Sequence, residues 1–97
     1  MATFLQFLSW TDQGVRTIKE TPKRIEAART LARKLGIEIK QVYLTTGESD
    51  VLVVLETANP DNIPKLALAI GAQGNVRTRT VRAWTEVELL KLISEVP

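Results

Sequence analysis

The chain contains no cysteine and no histidine among its 97 residues. Without thiols there is no disulfide and no thiolate nucleophile, and without imidazole the commonest acid–base group is missing. The usual ligands of zinc, copper and haem iron are absent for the same reason. Proton transfer is left to carboxylates, Lys and Tyr, and any metal would have to be a hard, oxygen-bound ion. No metal site and no cofactor is expected. No stretch approaches the roughly 20 apolar residues that cross a bilayer as a helix. The opening "MATFLQFLSW" is apolar but has no basic flank and includes Gln6. It reads as a strand rather than a signal peptide, and a cytoplasmic protein is the default expectation.

What is present suits an ordinary globular protein, with 44% apolar and 25% charged residues. This length makes a single domain, residues 1–97. A chain of this size buries only roughly 60–65% of its unfolded surface, so association would stabilise it. The net charge is +2, unevenly spread. Residues 16 to 40 hold Arg16, Lys19, Lys23, Arg24, Arg29, Arg33, Lys34 and Lys40 against three glutamates. Such a segment is either a solvated helix face or a site for anions or nucleic acid.

Periodicity divides the chain into alternating strands and helices. Residues 2–10 read as a first strand, and 11–14, "TDQG", as a turn with Gly14 free to take positive φ. A helix follows, with Thr21 as cap, Pro22 in its first turn and Gly36 as its stop; Ile25, Ala28, Leu31, Ala32 and Leu35 form its apolar stripe. Residues 37–45 and 51–57 read as an antiparallel hairpin around Gly47. "KLALAIGAQ" is apolar nearly all round, which predicts a buried helix ended by Gly74. Residues 75–84 read as a fourth strand, and Thr85 with Glu88 makes a capping box for a last helix. The order is that of the α+β, ferredoxin-like βαββαβ fold, with a C-terminal helix added. Right-handed crossovers place both connecting helices on one face of a four-stranded antiparallel sheet.

That topology exposes a problem in "VLVVL", Val51 to Leu55, which does not alternate. It and the first strand are the central pair, and both are apolar on both faces. The face without crossover helices needs a cover. Either the last helix folds back over it, or a second copy packs on it to make a homodimer or larger oligomer; the second is favoured.

"WTDQGVRTIKETPKR", "YLTTGESDVLVVLE" and "LALAIGAQGNVRTRTVRAWTEVE" together resemble the GYD domain family, and the resemblance covers nearly all of the chain. It implies a ferredoxin-like fold of the dimeric α/β-barrel superfamily and brings no agreed activity. The family's motif of Gly, two residues and Asp, with Tyr before the Asp, falls on Gly47-Glu48-Ser49-Asp50. Gly47 and Asp50 match, and Ser49 replaces the Tyr.

Three constellations could carry chemistry. Gln6, Glu56 and Arg82 are polar positions in apolar strands. Alternation allows Gln6 and Glu56 to share the face away from the crossover helices, with Thr78, Thr80, Arg82 and Trp84 together on one face of the fourth strand. Glu56 and Arg82 are expected to pair, either fixing a polar or anionic ligand or setting dimer register. Tyr43, Asp50 and Asp12 near the strand ends could do acid–base work, or simply shape turns. Arg77 and Arg79 with the helix basics could meet nucleic acid. Against that, the third strand carries no aromatic on which a base could stack, so nucleic acid is an unfavoured partner. The expectation is therefore a cytoplasmic, homo-oligomeric binding module with a small-molecule ligand possible and no membrane partner. A cofactor-independent enzyme is the alternative, and an anion or nucleic-acid binder the third reading.

Overall fold

A computed structural model describes residues 1–97. Its elements are β1 (Ala2–Trp10), α1 (Asp12–Arg16), a 3₁₀ turn (Ile18–Glu20), α2 (Thr21–Lys34), β2 (Ile37–Leu44), β3 (Val51–Thr57), α3 (Asn62–Ala72), β4 (Val76–Ala83) and α4 (Glu86–Ser94). The strands form one antiparallel sheet in the order β2-β3-β1-β4. This is the ferredoxin-like α+β arrangement. No helix is long and apolar enough to cross a membrane.

The stops are where glycine chemistry places them. Gly36 follows α2 at φ 69° and Gly74 follows α3 at φ 82°, backbone conformations that other residues resist. Gly14 behaves differently from expectation. It is not a positive-φ turn but a buried residue inside α1, and a Cβ there would meet the Asn75 carbonyl oxygen at 2.0 Å. Close backbone approach, not dihedral freedom, requires glycine at this position. Thr11 caps α1 by accepting from the Gly14 N–H. It also donates to the Gly74 carbonyl at 2.6 Å, and its own N–H reaches the Asn75 carbonyl at 3.0 Å. The chain leaving β1 is thus clasped to the chain entering β4.

The core lies under the crossover helices. Ala32, Ile37, Val53, Leu55, Ile63 and Leu66 are buried, with Phe4, Leu8, Leu31 and Ile70 packed around them. α3 is less enclosed than its composition predicts: Ile63 and Leu66 are buried, but Leu68 is 75% exposed.

Strand register decides which side chains share a face. Gln6 pairs with Val53 on one side and Thr80 on the other, and Phe4 pairs with Leu55 and Arg82. The even residues of β1 and β4 and the odd residues of β3 therefore face the helices. Glu56 pairs with Thr3 and lies on the open face. The expectation that Gln6 and Glu56 share a face is wrong. Both faces of β1 are apolar, so alternation alone could not orient it, and the register with β3 sets them opposite. Leu52 and Val54 fall on the open face, with Leu5, Phe7, Tyr43 and Val81. α4 does not cover this face. Its apolar residues remain exposed, including Val87 at 78% and Leu90 at 59%.

Candidate functional site

Two features stand out, one on each side of the sheet. On the helix side, α2 lies against β2 and α3 against β4. A cavity of about 260 Å³ stands between them over the central strands. Its wall is apolar, with Leu8 and Val53 from the sheet, Ile25 and Ala28 from α2, and Ile70 from α3. Polar groups touch it at few places. Gln6 belongs to its lining and is only 2% exposed. The carboxamide Nε2 donates to Thr80 Oγ1 across a long 3.5 Å, and no donor of the chain reaches its carbonyl oxygen. Arg24, Gln73 and Asn75 also line the cavity. Arg24 donates to the carbonyls of Gly14 (3.4 Å) and Thr17 (3.0 Å) and to the Thr17 hydroxyl. No carboxylate lies within ion-pair distance of it.

Of the residues expected to form a ligand site, only Gln6 lines this cavity. Thr78, Thr80 and Arg82 share its face of the sheet, but Arg82 is engaged elsewhere. Its guanidinium lies 4.5 Å from the Trp84 ring centroid and 5.5 Å from that of Phe4. It donates to the Thr3 carbonyl at 3.0 Å and to that of Ala83, and approaches Glu88 at 3.9 Å. This cluster ties β4 to the first turn of α4. Glu56 does not pair with Arg82. It lies 3.9 Å from Lys40, which also approaches Glu38 at 3.4 Å. Glu38 and Glu56 are direct cross-strand neighbours beside a register shift at Lys40, so the ammonium offsets a like-charge pair.

The hairpin turn is structural. Gly47 sits at φ 109°. Asp50 accepts from the Trp10 N–H at 2.9 Å through its carboxylate, and its own N–H donates to the Leu8 carbonyl at 2.9 Å. It thereby holds the exit of β1. Ser49 is buried, and its hydroxyl receives a 3.3 Å hydrogen bond from Arg79. Tyr43 is half exposed on the open face and does not join Asp50 in a site.

The second feature is the open face itself. Its middle is apolar, with Leu5, Phe7, Leu52, Val54 and Val81. Glu38 and Glu56 occupy one corner on β2 and β3, and Arg77 and Arg79 the diagonally opposite corner on β4. Arg79 also lies over Phe7, 5.5 Å from the ring centroid. The sequence places Arg24 only within the basic segment as a whole; its position four residues before Ala28, on the edge of the apolar stripe, is the signal that sets it apart as a cation beside the core.

Comparison with known proteins agrees with this fold. A Thermus thermophilus protein named glutamine synthetase and cystathionine beta-lyase binding protein is 29% identical over 91 residues, 93% of this chain and 96% of that protein. A feast or famine regulatory protein from M. tuberculosis, solved in complex with L-methionine, superposes with a TM-score of 0.65 at 19% identity over 88% of this chain. The present chain spans only 51% of that regulator's length. A Thermus thermophilus protein of known structure, TTHA0845, has a TM-score of 0.56 at 18% identity, over 88% of this chain and 95% of its own. At these identities the structural likeness is one of fold. The family model of the GYD domain matches residues 4–93, so the chain belongs to the GYD domain family.

Proposed function

We propose that the protein is a small self-associating binding module, joined into a homodimer or a larger assembly of dimers through the open sheet face. The observation that carries this reading is the apolar middle of that face, which neither the crossover helices nor α4 covers. An exposed patch of this kind marks an interaction surface. Its charge layout suits a second copy of the same chain. A two-fold interface must be self-complementary, and this face carries acid at one corner and arginine at the opposite one. Two such sheets crossing at close to right angles, one of the two common packing modes, bring unlike corners together over a shared apolar centre.

The name of the Thermus thermophilus relative, a binding protein for two enzymes, supports reading the assembled module as one that engages other proteins. Sedimentation velocity at micromolar concentration is expected to show a dimer, or a multiple of it, for the unaltered protein. Val54→Lys would bury an ammonium in the middle of the interface and should give monomer or aggregate. A stable monomer of the unaltered protein overturns the reading.

A further inference from the structure

We infer that the cavity between α2, α3 and the central strands is a binding site for a small monoanion with an apolar body, such as an alkyl or aryl carboxylate. The site lies on the opposite side of the sheet from the self-association surface, so the two readings stand or fall separately.

Three observations define the ligand class. First, most of the wall is apolar, and its volume of about 260 Å³ lies just below the usual range of roughly 300–1,000 Å³ for small-molecule pockets. A short chain or a single ring is the scale of guest it admits. Second, the one ionised side chain in the lining is Arg24. Its hydrogen bonds go only to neutral oxygens, from Gly14 and Thr17. Glu20, which shares a surface groove with Arg24, is engaged with Lys23 at 3.7 Å. A guanidinium whose charge no carboxylate offsets, at the edge of an apolar cavity, favours an anionic head group, and two of its N–H groups remain free to hold one. Third, Gln6 is a carboxamide 2% exposed within the lining, with a single 3.5 Å hydrogen bond and an unused carbonyl oxygen. No side-chain oxygen or nitrogen of the chain is both fully buried and unpaired, so this oxygen opens onto the cavity. It is left able to bond a polar atom carried on the guest's body.

The arrangement also gives binding a source of free energy. The unfilled apolar part of the wall forgoes dispersion contacts that a filled core would make. A guest restores those contacts, and the folded state gains stability in proportion to its occupancy.

The probe is octanoate, with 1-octanol as its uncharged counterpart, measured by calorimetry and by thermal unfolding. Octanoate is expected to bind the unaltered protein and to raise its melting temperature. Arg24→Gln keeps donors for the Gly14 and Thr17 carbonyls but removes the charge. It should weaken octanoate at least tenfold while changing 1-octanol less than twofold. Ala28→Phe fills the cavity from α2 and should abolish binding of both, with circular dichroism confirming a folded chain. No octanoate binding at millimolar concentration overturns the site. Equal loss of octanoate and octanol on Arg24→Gln overturns the anionic head group. Undiminished binding to a folded Ala28→Phe protein places the guest elsewhere and overturns the assignment.

Discussion

At the scale of single residues, two glycines illustrate two different demands. Gly47 has a positive φ and open space around its Cα, so a side chain there meets strain but no clash. Gly14 has ordinary helical geometry and no space, because the Asn75 carbonyl lies where a Cβ would be. Replacing Gly47 by Ala should cost about 1–2 kcal/mol. Replacing Gly14 by Ala forces the clasp between Thr11 and Asn75 apart, and should cost about 3 kcal/mol or more, beyond the usual overpacking penalty. Urea unfolding of the two variants checks the order; a larger loss at Gly47 would contradict the geometry. Only the first of these demands was legible in the sequence, since "TTGESD" advertises a tight turn. The second arises from a contact between segments some sixty positions apart, Gly14 and Asn75, and no local pattern records it. Gln6 and Glu56 fail for a related reason. Each is visibly out of place in an apolar strand, but the facing of β1 depends on its partner's register and not on its own alternation.

At the scale of elements, strands and long helices were readable because their periods and stops agree. Gly36, Gly74 and the Thr85–Glu88 pair all do what their chemistry predicts. α1 was not readable, since five residues carry too little periodicity and tertiary bonds hold them. α4 is the least supported element. Its capping box is complete, with Thr85 N–H donating to Glu88 at 2.8 Å and Glu88 N–H to Thr85 Oγ1 at 3.2 Å, but its apolar side is bare. The Thr85 backbone hydrogen bond, more than the Arg82 charge, holds the Glu88 carboxyl below its ordinary pKa. A carboxyl depressed on folding contributes stability above the ordinary glutamate range and loses it as pH falls through the folded value. α4 should therefore fray under acid before the sheet does. Thr85→Ala should remove about 1 kcal/mol of local helix stability. Hydrogen exchange resolved by residue is expected to show faster α4 amides and unchanged β1 amides in that variant. Equal acceleration in both would mean that α4 is part of the cooperative core.

At the scale of the whole molecule, the sheet is covered on one side only, and the folded chain measures 52 × 31 × 18 Å. The central position of β1 also has a consequence in time. The first strand to be made pairs with β3 on one side and with β4 on the other, Thr3 opposite Ala83. Until residues 76–83 emerge from the ribosome, β1 is an edge strand with a row of unpaired amides, and Gln6 has no Thr80 to bond. Loop closure over most of the chain must precede the contacts that reward it, which slows folding. The clasp at Thr11 cannot close before Gly74 and Asn75 arrive. Nascent chains arrested with β4 still inside the ribosome should be cut by protease within β1, and chains arrested with β4 fully emerged should resist. Equal resistance at both lengths would show that β1 finds a stable place without its last partner.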